Sequence, residues 1–505
     1  MSSKPERLYD EVCRHAVETA TLESIAAVLD WDERTMMPPA GSEHRAEQVT
    51  LLTGLAHRRW TDQRFVESLG ELAAGPLAAA ADSDQSVTIR RLKRRVDKRL
   101  KLPQTLVEEE ARTAVLGQHV WQQAREKNDF PSFLPILEKT VKLKRQEAEA
   151  LGYKESPYDA LLDHYEPEEL TANVGRVLSG LREQLLPLLN EIRHSLQKPD
   201  VSLLHGNFPV AAQERLGRAA AAKIGFDFQR GRLDVTAHPF CSGMGPFDCR
   251  ITTRYDERFF NSAFFGILHE SGHGIYDQGL PTQHWGLPLG EAVSLGIHES
   301  QSRLWENQVG RSLPFWRHFY PQAQREFPAF ARVPFEAFHF AINDVRPSLI
   351  RVEADEATYN LHILIRFELE QALLDGSLAA ADAPAAWNEK YHQYLGIVPG
   401  TDAEGVLQDV HWSAGLLGYF PTYALGNLYA AQFFAQADAE IGPLAEQFAR
   451  GEFQPLRGWL REKIHAHGQR YTSAELVQRV TGRPLSPEPL MKHLRDKLGS
   501  LYGVF

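Results

Sequence analysis

The segment FFGILHESGHGIYDQGL at residues 264–280 is apolar around most of a helix, yet it carries two histidines and a glutamate. Apolar residues at helical spacing on most of the circumference predict a buried helix. We expect this helix to begin near Asn261 or Ser262, which are good N-caps, and to end by Gly279. The chain must therefore surround a helix whose polar side chains need partners inside the protein.

Three of these polar residues form the pattern H-E-x-x-H. Residues four apart share one helix face, so His269 and His273 can both reach one metal ion, and Glu270 can touch a water on it. The alternative is a pair of core histidines hydrogen-bonded to the backbone, and the spacing favours the metal. The row of small or polar residues along this face is Ser262, Gly266, His269, His273 and Asp277.

A catalytic zinc usually has three protein ligands and a water. Gly279 and Leu280 occupy the place where a third histidine would follow in metzincins, so we expect a carboxylate from a second helix. Glu299 could instead pair with Arg303 four residues later. Periodicity leaves four candidates open in the segment EAVSLGIHESQSRLWEN, and they are Glu291, His298, Glu299 and Glu306.

Composition excludes several classes of protein. The chain has 505 residues, 43% of them hydrophobic and 24% charged, which is typical of a globular protein with a large core. Its net charge of −11 argues against nucleic acid as a partner. Without an apolar leader or a long apolar run, neither a membrane span nor secretion is expected, and the cytoplasm is the predicted location. Cys13, Cys241 and Cys249 are too few and too scattered to predict a disulfide framework or a thiolate zinc site.

Helical periodicity runs through most of the chain, interrupted by short breakers such as MMPPAG at 36–41. No linker, repeat or shift in composition marks a boundary. We therefore predict a mainly α chain, either one domain over residues 1–505 or two lobes that share a cleft. The exception is residues 226–255, where FDFQRGRLDVTA and DCRITTRYD predict two strands around a loop, HPFCSGMGP.

The segment TIRRLKRRVDKRLKLP at 88–103 contains eight Lys or Arg residues. Such a run can bind nucleic acid or a membrane surface. Ile89, Leu92, Val96 and Leu100 recur at helical spacing, however, so a solvated amphipathic helix is the favoured interpretation.

The chain resembles the carboxypeptidase Taq family of zinc metallocarboxypeptidases along nearly its full length. The segments WDERTMMPPAGSEHRAEQ at 31–48 and YDALLDHYEP at 158–167 are similar to that family. Six motifs follow in the family's order, and they are HPF at 238–240, DCRIT at 248–252, HESGH at 269–273, HESQ at 298–301, IRVEAD at 350–355 and GVLQDVHW at 405–412.

This resemblance implies a large, mainly α, gluzincin-like peptidase with a small β-sheet beside the H-E-x-x-H helix. Its helical N-terminal part, about residues 1–200, would cover a deep substrate cleft, and residues 238–412 would carry the catalytic motifs. The resemblance also implies a homodimer. One Zn²⁺ would bind each chain, and Co²⁺ or Mn²⁺ could occupy the same ligand set.

The resemblance implies that His269, His273 and Glu299 are the zinc ligands and that Glu270 is the catalytic base. Zinc would polarise the scissile carbonyl and activate a water, so that no covalent intermediate is required. Glu270 would take that water's proton and pass it to the leaving amine.

Other residues would bind the substrate. The family's proposed residue for the C-terminal carboxylate is Arg351, because a guanidinium binds a carboxylate bidentately, and the alternative is an ion pair with Glu353 or Asp355. His238, in the HPF motif, is assigned to substrate binding. Arg250 is expected at the cleft, which it would brace through adjacent acidic residues.

The tetrahedral oxyanion needs a donor besides the metal. Tyr423 is the first choice, by similarity to related helical zinc peptidases, and His411 is the second. The alternative is that both are packing residues. Gln408 and Asp409 are expected to support the site.

The predicted function is the release of C-terminal amino acids, with broad specificity, from peptides with a free C-terminus. Two alternatives remain open. One is a zinc oligopeptidase that cuts internally, which Arg351 and the six motifs argue against. The other is a non-catalytic metal-binding scaffold, which the intact Glu270 argues against.

Overall fold

A computed structural model of the chain describes residues 3–80 and 82–504, so the ends and Ala81 of the predicted range 1–505 lie outside the described residues. In the N-terminal part the helices are α1 (Lys4–Thr35), α2 (Ser42–Trp60), α3 (Gln63–Ala73), α4 (Asp84–Lys101), α5 (Gln104–Lys127), α6 (Phe130–Leu151), α7 (Pro157–Leu162), α8 (Thr171–His194) and α9 (Val210–Ile224). After a small sheet they are α10 (Phe260–Gly279), α11 (Leu295–Arg303), α12 (Leu313–Glu326), α13 (Phe335–Ile342), α14 (Tyr359–Asp375), α15 (Ala383–Leu395), α16 (Pro421–Ile441), α17 (Leu444–Ala449), α18 (Gln454–Lys463), α19 (Ser473–Thr481) and α20 (Glu488–Tyr502). The prediction of a mainly α protein is confirmed.

The sheet has three strands, one more than predicted. They are β1 (Gly231–Val235), β2 (Cys241–Gly245) and β3 (Asp248–Thr253), in the order β1-β3-β2, with β1 parallel and β2 antiparallel to β3. The predicted Gly/Pro loop thus contains β2. Its glycines are typical of turns, but here they belong to a strand at the edge of the sheet. This pairing brings Cys241 and Cys249 together with their sulfurs 3.6 Å apart, so the expectation that the cysteines are scattered is wrong for these two.

The helix α10 is largely buried. It begins at Phe260 with Phe259 as its N-cap, so the predicted caps Asn261 and Ser262 lie inside the first turn. The ring of Phe260 stacks on Phe264 at 5.4 Å and contacts five further aromatic rings. Burial of these rings, rather than a side-chain cap, fixes where this helix starts.

Two hydrophobic cores hold the helices. The larger one includes residues from Ala124 to Tyr502 and contains α10. The smaller one lies between α1, α2, α3 and α4 and includes residues from Val12 to Val96. The division of the chain into one domain, and the presence of a deep cleft, stay predictions.

The basic segment forms α4, and its apolar residues Ile89, Leu92 and Val96 are buried as predicted, whereas Leu100 is exposed. Its basic face is less solvated than expected. Several of its cations are instead partly buried in ion pairs with carboxylates of the rest of the chain. The pairs are Arg91 with Glu168, Arg94 and Lys98 with Asp163, and Arg95 with Glu291.

Candidate metal centre and active site

Two glycines allow the helices around the H-E-x-x-H motif to approach closely. A Cβ on Gly272 of α10 would lie 2.5 Å from the carbonyl oxygen of Gln301 in α11. A Cβ on Gly426 of α16 would lie 2.5 Å from Cγ of Glu299. Both glycines are therefore required for α11 to fit between α10 and α16. This fit places Glu299 of α11 close to the two histidines.

The ligand atoms of His269, His273 and Glu299 lie within 4.8 Å of one another. Oε2 of Glu299 is 3.2 Å from Nε2 of His273 and 3.6 Å from Nε2 of His269. Donors bound at 2.0–2.1 Å around a tetrahedral zinc lie about 3.3 Å apart. The donor set and its spacing therefore fit a zinc ion.

The far side of each imidazole has its own partner. Nδ1 of His269 is 2.9 Å from Oε2 of Glu306. Nδ1 of His273 is 2.6 Å from Nδ1 of His298, whose Nε2 is 2.9 Å from Oδ1 of Asp277. When Nε2 of His298 donates to Asp277, its Nδ1 accepts a hydrogen bond from Nδ1–H of His273, and the Nε2 atoms of both motif histidines stay available to a metal.

The Glu299 carboxylate is held on both oxygens. Nε of Arg303 donates to Oε1 at 2.7 Å, and the Ser302 hydroxyl donates to Oε2 at 3.0 Å. Burial alone would raise the pKa of Glu299, but Arg303 and the imidazoles hold it well below its usual range. Glu299 is therefore ionised, and Oε2 is the oxygen that faces the histidines.

The structure separates the four candidates that the sequence left open. Glu299 is beside both Nε2 atoms, whereas Glu306 and His298 contact the Nδ1 atoms. Glu291 forms an ion pair with Arg95 of α4 instead. The predicted pairing of Glu299 with Arg303 is also present, and it leaves Oε2 exposed to the imidazoles.

Burial changes the pKa of the groups around this centre. It raises the pKa of Glu270 to about 7, and the charge of Glu299 acts in the same direction, while His269 opposes it. Burial also lowers the pKa of His273 to about 4. Glu270 can thus gain or lose a proton near neutral pH, which suits proton transfer.

Arg351 lies in a short 3₁₀ turn, Arg351–Glu353, and is 6% exposed. Its carboxylate partner is Asp409, whose Oδ1 is 2.9 Å from both Nε and Nη2, and not Glu353 or Asp355. Its Nη1 donates to the Tyr359 hydroxyl at 2.9 Å. Of the five N–H donors of a guanidinium, these contacts leave one on each Nη.

Tyr423 and His411 are neighbours, with the Tyr423 hydroxyl 3.3 Å from Nε2 of His411. Tyr423 lies one helical turn before Gly426, the residue that contacts Glu299, so it is on the side of α16 that faces the centre. The Arg351 guanidinium is 5.0 Å from the Tyr423 ring. Nδ1 of His411 is buried and has no hydrogen-bond partner in the described part of the chain.

The two remaining predicted residues lie on the sheet side of α10. Arg250 on β3 makes a bidentate ion pair with Asp248, at 2.9 and 2.8 Å, and its guanidinium is 4.4 Å from the ring of Trp31 in α1. It thereby joins the sheet to the N-terminal helices. His238 is exposed in the bend between β1 and β2.

Comparison with known proteins decides the family. The family model described as carboxypeptidase Taq (M32) metallopeptidase matches residues 11–498. The chain belongs to the carboxypeptidase Taq family. It is therefore a metallocarboxypeptidase that requires a divalent metal and acts on peptides. Within the described residues, no helix combines the length and apolar character needed to cross a membrane.

Members of the family are similar over their whole length. The chain is 49% identical to thermostable carboxypeptidase 1 of Thermus thermophilus, covering 99% of this chain and 100% of that protein. It is 39% identical to carboxypeptidase 1 of Bacillus subtilis, over 94% of this chain and 95% of that protein. The crystal structure of an M32 carboxypeptidase from Deinococcus radiodurans superposes with a TM-score of 0.94 at 39% identity, covering 99% of this chain and 100% of that one.

Several residues of this site carried no signal in the sequence. Tyr359 receives a hydrogen bond from Arg351, and the Arg303 guanidinium lies 4.4 Å from its ring. Arg366, fully buried on α14, donates to Oδ2 of Asp409 at 2.6 Å. Asp277 did carry a signal, because it continues the polar row of α10 one turn after His273.

Proposed function

We propose that the protein is a zinc carboxypeptidase that removes residues of broad chemical type from the free C-terminus of peptides. The observation that carries this proposal is the convergence of His269, His273 and Glu299, at 3.2 and 3.6 Å from the shared Glu299 oxygen. Two imidazoles and one carboxylate leave a fourth tetrahedral position for water or substrate, as in catalytic zinc sites. Co²⁺ accepts the same donors and geometry, so it should substitute for zinc.

Glu270 is the general base in this proposal. When bound, zinc polarises the scissile carbonyl and lowers the pKa of its water to about 7. Glu270 follows His269 on α10, is 7% exposed, and has a pKa raised to about 7 by burial. The carboxylate accepts the proton from the attacking water and then transfers it to the leaving amine.

Tyr423 and His411 are the proposed donors to the developing oxyanion. Their mutual contact at 3.3 Å fixes the position of the Tyr423 hydroxyl, and Tyr423 faces the metal centre from α16. Burial holds the pKa of Tyr423 well above its usual range, so the phenol keeps its proton and can donate it in a hydrogen bond. Such a donor lowers the barrier by about 3–4 kcal/mol in acyl-transfer enzymes.

Arg351 is the proposed receptor for the C-terminal carboxylate. Its remaining N–H groups, one on each Nη, can bind the two oxygens of a terminal carboxylate, while Asp409 and Tyr359 hold the guanidinium in place. Arg250 supports the cleft through Asp248 and Trp31, and His238 contacts substrate from the exposed bend.

The cellular setting belongs to the same proposal. A homodimer, with the helices of residues 1–200 covering the cleft, is what the family resemblance implies, and the cytoplasm is the proposed location. The net charge of −11 gives no basis for nucleic-acid binding, and the cations of α4 pair with carboxylates of the chain. Peptides are accordingly the expected partners.

One experiment distinguishes this function from its alternatives. The metal-loaded protein is incubated with an N-acetylated peptide and with its C-terminally amidated twin, with and without chelator, and products are identified by mass. A ladder from the C-terminus of the free acid, much slower cleavage of the amide, and loss of both with chelator are expected. Internal fragments at similar rates from both peptides would identify an oligopeptidase, and no cleavage by metal-loaded protein would identify a non-catalytic scaffold.

A further inference from the structure

A second group of potential metal ligands lies on the other side of His298 from the histidine centre. It consists of Cys241 on β2, Cys249 on β3 and Asp277 on α10. The two sulfurs are 3.6 Å apart, and Oδ2 of Asp277 is 3.9 Å from Cys241 Sγ and 3.8 Å from Cys249 Sγ. Three donor atoms from three elements therefore meet at one point.

These distances match the edges of a small coordination polyhedron. Sulfurs bound at 2.3 Å to a tetrahedral ion lie about 3.8 Å apart, and a sulfur and a carboxylate oxygen lie about 3.5 Å apart. The observed spacing is thus within a few tenths of an ångström of a tetrahedral thiolate site. Two thiolates and one carboxylate would carry three negative charges, which more than balance the charge of a divalent ion.

The surrounding fold leaves room for this arrangement. Gly243, between the two cysteines in the β2–β3 pair, faces the Asp277 carboxylate, and a Cβ there would lie 3.2 Å from Oδ2. Cys249 is buried, whereas Cys241 and Asp277 are half-buried, so an ion can enter from the β2 side.

Asp277 connects the two centres. Its Oδ1 accepts a hydrogen bond from Nε2 of His298 at 2.9 Å. Nδ1 of His298 in turn contacts Nδ1 of His273 at 2.6 Å. Its Oδ2 is the oxygen that faces the sulfurs. One carboxylate therefore orients the His298–His273 pair with one oxygen and faces the cysteines with the other.

We propose that Cys241, Cys249 and Asp277 bind a second, thiophilic divalent cation such as Zn²⁺, which joins β2 and β3 to α10 and fixes the carboxylate that orients His298. Binding replaces the two thiol protons, which pass to solvent, and the fourth position is taken by water. This site is separate from the proposed peptidase centre, and its existence does not depend on that activity.

A disulfide is the competing interpretation of the same pair. The two sulfurs are 3.6 Å apart, whereas a disulfide bond is about 2.05 Å long, so the spacing favours two thiols that can share a metal ion. The position of the Asp277 carboxylate, which a disulfide would not use, favours the same interpretation.

The test uses Co²⁺ as the probe, because cobalt bound to thiolate gives an intense sulfur-to-metal charge-transfer absorption in the near ultraviolet. The histidine–glutamate centre contains no sulfur, so this band reports on the cysteine site alone. We expect the full-length protein to bind two equivalents of Co²⁺ and to show the band. Cys241→Ser and Cys249→Ser should each lose the band and one equivalent. Cys13→Ser on α1 is the matched control and should retain both.

The wild-type spectrum decides the matter even if a variant folds poorly. A fully cobalt-loaded wild-type protein with one equivalent and no sulfur band would overturn the proposal. A purified protein whose mass is two hydrogens below that of the reduced chain, with Cys241 and Cys249 resistant to alkylation, would show a disulfide and would overturn it as well.

Discussion

Nδ1 of His269 lies 2.9 Å from Oε2 of Glu306, which places the proton of this imidazole on Nδ1 and leaves Nε2 facing Glu299. Burial by itself would raise the pKa of Glu306, but Arg303 and His269 lower it to about 2, so the group is an anion at neutral pH. A carboxylate that the sequence offered as a ligand therefore contacts the far side of the His269 imidazole instead.

Glu306→Gln should weaken metal binding, because a neutral amide oxygen stabilises the Nδ1–H tautomer of His269 less than a carboxylate does. We expect a 10–100-fold loss of metal affinity, of the order found for such partners, measured by competition with a chelating dye. Glu291→Gln, whose carboxylate pairs with Arg95, is the matched control and should bind metal as the wild type does. Equal affinities in the two variants would contradict the orienting role.

Gly426→Ala should displace Glu299, since the added Cβ would lie 2.5 Å from Cγ and 2.8 Å from Cβ of that residue. Overpacking of this kind destabilises a protein by about 1–3 kcal/mol, and here it should also lower metal content. Gly458→Ala in α18 is the control, because nothing lies within 4 Å of its Cβ and alanine favours a helix. Denaturant unfolding and metal analysis would measure both effects. A stable, fully metallated Gly426→Ala would count against the close approach of α16.

Glu270→Gln should retain metal and lose activity, because the ligands stay while the proton acceptor is removed. We expect kcat to fall by about 10²–10⁴-fold. Glu299→Ala should behave in the opposite way. It should lose metal, and its activity should fall because metal is missing. Turnover near the wild-type level by metal-loaded Glu270→Gln would refute its role as the base.

Arg351→Lys should reduce the preference for a free C-terminus. A lysine ammonium cannot reproduce the planar contacts with Asp409, Tyr359 and a terminal carboxylate together. The ratio of kcat/KM for free-acid over amidated peptide should fall by about 10–100-fold. In Arg250→Lys, which alters the brace to Asp248, that ratio should stay constant even if the overall rate changes. A ratio unchanged in Arg351→Lys would remove this residue from carboxylate recognition.

Asp409→Asn should destabilise the fold, because Arg351 and Arg366 would be left buried without a counter-charge. Breaking a buried pair from one side costs about 3–5 kcal/mol. Burial alone would raise the pKa of Asp409, but Arg351 and Arg366 hold it well below its usual range. The stabilisation is therefore present above pH ~3.8 and is lost as the pH falls below that value.

Urea unfolding at neutral and acid pH would measure the effect of Asp409→Asn. The difference between wild type and variant should be largest at neutral pH and should shrink as the solution is acidified. Asp402→Asn, whose half-buried carboxylate makes no ion pair with a described residue, should change stability by less than about 0.5 kcal/mol. A difference that grows at acid pH would contradict this assignment of charge.

The sequence by itself determined the local elements and the helix that carries H-E-x-x-H. The apolar rows of 264–280 required a buried helix, and the four-residue spacing of His269 and His273 required both imidazoles on one face. These features depend on periodicity, which the order of residues encodes directly. The two strands that show alternation were found for the same reason, whereas the glycine-rich β2 was missed because its pairing partner lies on β3.

Only the tertiary structure decided which side chains meet. Of the four candidates, Glu299 lies beside both Nε2 atoms because α11 approaches closely at Gly272 and Gly426. Arg351 found its carboxylate in Asp409, far along the chain, and not in its neighbours. The two cysteines became neighbours through an antiparallel pairing. Each of these contacts joins separate elements, and its distance depends on how those elements pack, which no local periodicity records.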